Sequence, residues 1–163
     1  MKEYGHVLDR KVRVLLVEDN QDHSALIQAE IEAAGMGEFD VMVVGTLTAA
    51  LAALADFQPD IALLDLTLPE AAGIDTLQRF RAAAPAVPVI VCSADDSEKM
   101  ALQAIQEGAQ DYFTKMGLDG KALRRTMLMG VARHKLQDTW EKLKKINEDL
   151  CPPTNSDQTP QGT

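Results

Sequence analysis

Five side chains of complementary chemistry fall at the ends of four short apolar runs. Glu18 and Asp19 follow VRVLLV at 12–17, Asp65 follows IALL at 61–64, Ser93 follows VIVC at 89–92, and Lys115 follows DYFT at 111–114. Short apolar runs of this kind, bounded by polar residues, read as strands that deliver their last residues into loops. If the strands lie parallel in one sheet, all five side chains gather beyond its carboxyl edge, where open sheets bind ligands. Three carboxylates brought together repel one another. They persist where a cation neutralises them, and hard oxygen ligands suit Mg²⁺. A lysine beside that cation makes a pocket for a dianion, most naturally a phosphoryl group, to which the Ser93 hydroxyl can donate. One carboxylate can attack phosphorus and form an acyl phosphate. Asp65 is the best placed, because its strand should be central. Taken singly, an acidic residue after a strand is more often a helix cap or a solvated loop residue. The conjunction at several strand ends is what points to chemistry.

The elements between these residues alternate. After the strand at 12–17, Asp22 can cap a helix through about Ala34, stopped by Gly35 and Gly37. A strand at 41–44 precedes a helix capped by Thr46 or Thr48 and running through Asp56, with Leu47, Leu51 and Leu54 on one face. The strand at 61–64 leads to a loop with Pro69 and Gly73, then to a helix ending near Ala84. The strand at 89–92 is followed by a helix from about Ser97 to Glu107, and the strand at 111–114 by a long helix from near Asp119. Five strands alternating with five helices predict a doubly wound parallel α/β sheet covered on both faces, which is why the strands are apolar rather than alternating.

Composition narrows the rest. The chain has 163 residues, 46% hydrophobic and 25% charged, which suits one domain plus a helix or tail. No apolar run approaches the roughly 18 residues of a membrane span, and MKEYGHVLDRK lacks the apolar core of a secretory signal. The net charge of −9 argues against a protein that grips nucleic acid over its surface. Residues 1–114 carry 7 basic and 19 acidic side chains, whereas residues 115–145 carry 9 basic and 3 acidic. Cys92 and Cys151 cannot build a disulfide framework, so a reducing, cytoplasmic setting is expected. His6, His23 and His134 are scattered, with no HExxH or Cys/His cluster, so no zinc site is expected.

The pieces VRVLLVEDN, IALLDLTLPEAAGID, PVIVCSA and EGAQDYFTK give the chain its family likeness. Over about residues 11–134 it resembles the receiver domain of two-component response regulators, the CheY-like superfamily. The resemblance implies a flavodoxin-like sheet with strand order 2-1-3-4-5. It implies Asp65 as phosphoacceptor, with Glu18, Asp19, Asp65 and the backbone carbonyl of Thr67 as Mg²⁺ ligands. Ser93 would be the switch hydroxyl, Tyr112 the switch aromatic, and Lys115 the partner of a phosphoryl oxygen. Thr67 and Asp95 would tune dephosphorylation. Many receivers place proline after the lysine. Here Met116 follows, and a cis bond without proline costs about 2.5–4 kcal/mol, so a trans peptide or a locally different loop is expected.

The implied function is that of a phosphorelay response regulator. A sensor histidine kinase or phosphotransfer protein would supply the phosphoryl group. The face of the fourth helix, fifth strand and fifth helix would then change shape. Such a protein assists its own phosphorylation and dephosphorylation without being an enzyme in the usual sense. One alternative is a phosphorylation-independent binding module, which would usually lack an acidic or lysine position. Another is an aspartyl-phosphate phosphatase of the haloacid-dehalogenase type, which needs Asp-x-Asp, whereas DLTL has Thr67 at the second place.

From about Asp119 to Leu150 the pattern stays helical, roughly 45 Å at 1.5 Å per residue. Met129, Leu136, Leu143 and Leu150 are spaced by sevens, with Ala132, Thr139 and Ile146 three residues after the first three. This is an a/d heptad, and it suggests a homodimer through the C-terminal helix or a signalling helix; the plain alternative is an amphipathic helix folded on its own domain. The basic charges of this stretch read as a solvated helix face, with no direct nucleic-acid or membrane partner. His134 lacks the neighbours of a kinase phosphoacceptor box, and Trp140 reads as a packing residue. The expected organisation is a leader at 1–10, the receiver at 11–134, a helical extension at 135–150 and a disordered tail at 151–163.

Overall fold

The computed structural model of the chain describes residues 9–151. Most of the expected leader, and the tail beyond Cys151, lie outside the described residues. The elements run β1 (Val12–Val17), α1 (Gln21–Gly35), β2 (Phe39–Val44), α2 (Leu47–Phe57), β3 (Ile61–Leu64), β4 (Thr67–Leu68) and β5 (Ala71–Ala72). They continue with α3 (Ile74–Ala83), β6 (Val89–Ser93), α4 (Glu98–Gln106), β7 (Asp111–Thr114) and α5 (Gly120–Leu150). The main sheet has the order β2-β1-β3-β6-β7, and all its pairs are parallel. This is the expected 2-1-3-4-5 order once the small β4–β5 hairpin is set aside. That antiparallel hairpin, pairing Thr67 with Ala72, escapes sequence reasoning, because two-residue strands leave no periodic signal.

The central strands β1, β3 and β6 are apolar on both faces, and the period of two divides them between two cores. Leu15, Val17, Leu64 and Val91 pack with Leu47 of α2, Leu77 and Phe80 of α3, and Ala104 of α4. Val14, Leu16, Leu63, Ile90 and Cys92 pack on the other face with Ile27 and Ile31 of α1 and Leu123, Met127 and Val131 of α5. Each fully buried side chain of this size contributes about 1.5–3 kcal/mol, so the sheet is held from both sides.

Helix ends follow local chemistry. Asn20, not Asp22, caps α1: its Oδ1 accepts from the N–H groups of Asp22 at 3.0 Å and His23 at 3.1 Å. Asp22 sits instead in the first turn, where its charge suits the helix dipole. Met36, at φ 42°, forms the left-handed end of α1 between the two glycines expected there. Thr46 caps α2 and Ser97 caps α4, and Asp119 Oδ1 accepts from Lys121 and Ala122 at the start of α5. Gly108 ends the α4 segment at φ 95°, where an added Cβ would fall 1.7 Å from Arg81 Nη1.

The entry to β1 is tied down by Asp60. Its carboxylate accepts from Arg10 at 2.7 and 2.8 Å and from the Arg13 N–H at 2.8 Å. Burial pushes this carboxyl up, but the Arg10 and Arg13 hydrogen bonds outweigh it and hold it below its usual range. The folded-state value is depressed, so the contribution is present above the unfolded value and is lost as pH falls through the folded one. Asp60→Asn should cost about 1–2 kcal/mol at neutral pH. Urea melts should show that gap closing in acid, and a gap independent of pH would refute the assignment.

The described residues divide into two compact units, with the boundary after Ala132. The described part of the second unit is helical to Leu150, and Leu136, Trp140, Leu143, Ile146 and Leu150 are exposed on it. Lys142 pairs with Asp138 at 2.6 Å and Lys144 with Glu148 at 3.9 Å, both at helical spacing.

Candidate functional site

The site is built from residues that stand just past the strands. Backbone bonding continues one residue beyond the regular ladder and fixes three of them. The Glu18 N–H donates to Val44 O at 2.9 Å, that of Asp65 to Val17 O at 3.0 Å, and that of Lys115 to Ser93 O at 2.8 Å. Glu18, Asp65, Ser93 and Lys115 are buried, and Asp19 is exposed. Oxygens of Glu18, Asp19 and Asp65 lie within 4.8 Å of one another. Among the described residues, this is the one group of three or more potential ligands so arranged. Hard carboxylate oxygens at this spacing, partly open through Asp19, fit a divalent cation such as Mg²⁺.

Hydrogen bonds orient the carboxylates. Glu18 Oε1 accepts from the Asn20 N–H at 3.0 Å, and Asp65 Oδ1 from the Thr67 N–H at 3.2 Å. Lys115 brings its ammonium between them, in ion contact with Glu18 Oε2 and 3.2 Å from Asp65 Oδ2. His23 Nδ1 lies 3.2 Å from the same ammonium and 3.8 Å from Glu18 Oε1. The peptide after Lys115 is trans, as expected. Beneath the site, burial pushes the Cys92 thiol up to about 12, so it stays protonated and unreactive at neutral pH.

The loop after β6 is tied on both sides. Ser93 Oγ accepts from the Asp95 N–H at 3.1 Å, and Tyr112 Oη donates to Asp95 O at 2.6 Å. Partial burial raises the Tyr112 phenol, with the aspartates around it adding and Ser93 opposing, so it remains a donor through neutral pH. The Asp95 side chain turns to the start of α4, where Oδ1 accepts from the Ser97 N–H at 2.8 Å. That bond is the main reason its carboxyl lies below the usual range.

The structure therefore brings Glu18, Asp19, Asp65 and Lys115 into one site and places Ser93 beside it. Tyr112 and Asp95 join each other at the neighbouring loop. The Thr67 side chain is exposed, and its N–H rests on Asp65. Sequence reasoning misses Asn20 and His23. The signal for His23 is its place in the first turn of the helix that directly follows the acidic pair.

A family profile described as the response regulator receiver domain matches residues 14–126. The chain is 36% identical over 100 residues to the regulatory protein LuxO of Vibrio vulnificus, covering 61% of this chain and 21% of that protein. It is 33% identical over 135 residues to the KDP operon transcriptional regulatory protein KdpE of Escherichia coli, covering 83% of this chain and 58% of that one. The chain thus spans about a fifth of the length of the LuxO protein it matches. The crystal structure of the signal receiver domain of a LuxO repressor protein from Vibrio parahaemolyticus superposes with a TM-score of 0.69 at 29% identity. That match covers 80% of this chain and 98% of the domain. No helix of the described residues is long and apolar enough to cross a membrane. Parallel strand order, an acidic cluster past β1 and β3, and a lysine past β7 all agree with the profile match. The chain belongs to the response regulator receiver family.

Proposed function

We propose that the protein accepts a phosphoryl group on Asp65 from a sensor histidine kinase or phosphotransfer protein and signals by reshaping the α4–β7–α5 face. The observation that carries this is the buried Lys115 ammonium set between Glu18 and Asp65 beside the open Asp19. Glu18, Asp19 and Asp65, with the Thr67 carbonyl, would hold a divalent cation, which when bound supplies positive charge to the phosphoryl oxygens. An Asp65 oxygen forms the new bond to phosphorus as the bond to the donor's imidazole nitrogen breaks. Lys115 pairs with one phosphoryl oxygen and Ser93 donates to another. If Ser93 moves inward to reach it, its Oγ leaves the Asp95 N–H, and Tyr112, which grips the Asp95 carbonyl, loses its fixed partner. Thr67 and Asp95 flank the site and would set how readily water reaches the acyl phosphate.

The test is intact mass after incubation with acetyl phosphate, with and without Mg²⁺. One added phosphoryl group that requires the cation is expected. No adduct would favour a binding module that works without phosphorylation.

Residues 11–134 are read as the receiver and 135–150 as an extension that pairs two copies in parallel. The exposed line of Leu136, Leu143 and Leu150 with Ile146 supports this, as does the position of both ion pairs off that line. Thr139 at a core position keeps the pairing modest. Sedimentation equilibrium should show a concentration-dependent dimer, and Leu136→Asp with Leu143→Asp should make it monomeric. A native chain that stays monomeric at high concentration would remove the dimer.

A further inference from the structure

We infer that His23 is a positioning residue for Lys115: its Nδ1 is the acceptor that keeps the ammonium beside Asp65 when a cation draws on the carboxylates. The inference deepens the reading of Lys115 given above and rests on it. An ammonium has three N–H donors and no acceptor, and a buried donor without a partner is costly. Lys115 has three acceptors within reach: Glu18 Oε2, Asp65 Oδ2 at 3.2 Å and His23 Nδ1 at 3.2 Å. His23 completes the set. For Nδ1 to accept, the ring proton must sit on Nε2 and the ring must be neutral. The nearer Glu18 oxygen does not compete for Nδ1, because at 3.8 Å it lies beyond hydrogen-bond reach.

The three acceptors differ in one respect. Glu18 and Asp65 belong to the acidic cluster that fits a cation, whereas His23 stands outside it. A divalent cation held by that cluster would repel Lys115 and draw on its two anionic partners. The neutral imidazole is the one acceptor in the set that would not be drawn on. The backbone that carries the ring is fixed beside the site, since the His23 main-chain N–H donates to the Asn20 cap at 3.1 Å. The His23 side chain is 41% exposed, so it adds little to the core, and its loss should act on the site more than on the fold. An apolar residue here would leave Lys115 only the carboxylates, and ammonium and cation would then contend for the same oxygens.

The test uses the full chain with His23→Leu, which removes the acceptor, and His23→Asn, whose amide oxygen can replace Nδ1. Two-bond ¹H–¹⁵N correlations of the metal-free native protein, above neutral pH, should show His23 with a bare Nδ1. Lys115→Met should release that preference. Titration with Mg²⁺ alone should show His23→Leu binding about fivefold more weakly, with no such loss when Lys115→Met is also present, as expected for partners acting through each other. Labelling by acetyl phosphate should slow about tenfold in His23→Leu, the effect of one hydrogen bond to a charged group, and recover to within about twofold in His23→Asn. A protonated Nδ1, an unchanged Mg²⁺ affinity in His23→Leu, or a loss that Asn does not repair would overturn the inference. If the native chain takes no phosphoryl group, the reading of the site fails, while the tautomer and Mg²⁺ titrations still decide the contact.

Discussion

Asp65→Asn is expected to abolish labelling by acetyl phosphate, a loss of at least about a thousandfold, as for removal of the nucleophile in covalent catalysis. The carboxylate of Asp65 is the anion at the end of the central strand, flanked by Lys115 at 3.2 Å and oriented by the Thr67 N–H at 3.2 Å. An amide oxygen carries no net charge and is a poor nucleophile toward phosphorus. The substitution is nearly isosteric, and the amide oxygen can still accept from Thr67. Lys115 keeps Glu18 and His23 as partners. It also removes one of three mutually repelling carboxylates, so metal-free stability should not fall. The measurement is intact mass beside a thermal melt. A folded variant without an adduct locates the acceptor. An adduct of equal yield would move the acceptor to another carboxylate, Asp19 first, because it is the exposed member of the cluster.

Asp65 stands out in the bare sequence because of how parallel sheets are made. A strand buried on both faces must be a short apolar run, and its end is marked where IALL gives way to Asp65. Four such endings, at Glu18, Asp65, Ser93 and Lys115, need only the strand order to become neighbours, and parallel topology sends them all to one edge. What the sequence conceals depends on geometry finer than that. Whether Asn20 or Asp22 caps α1 turns on which side chain faces the first N–H groups, and both types are good caps. The β4–β5 hairpin is too short for any pattern. The histidines look scattered because 92 positions separate His23 from Lys115, and only the closing of the sheet brings them to 3.2 Å. Tyr112 is placed by family likeness, yet its bond to the Asp95 carbonyl has no signature in the residues themselves.

The second large effect concerns Lys115. In Lys115→Met the long side chain still fills its space, but the ammonium that compensates Glu18 and Asp65 is gone. Both carboxylates are buried, at 3% and 4% exposure, so their charges would face each other with little water to separate them. Removing one partner of a buried ion pair costs about 3–5 kcal/mol, because the charge left behind is uncompensated. The same change opens the cluster to a cation that no longer meets a competing ammonium. Mg²⁺ binds the folded state and so stabilises it by mass action, and more strongly where its affinity has risen. Urea melts should therefore show Lys115→Met well below the native protein in chelator. The gap should narrow markedly in millimolar Mg²⁺, while acetyl phosphate labelling stays low at every Mg²⁺ concentration because no ammonium meets the phosphoryl oxygen. Stability and phosphoryl transfer would then both fall in this variant, but Mg²⁺ would restore only the first. A variant equally stable in chelator would mean that Lys115 does not compensate the buried carboxylates, and labelling at the native rate would remove it from the transfer step.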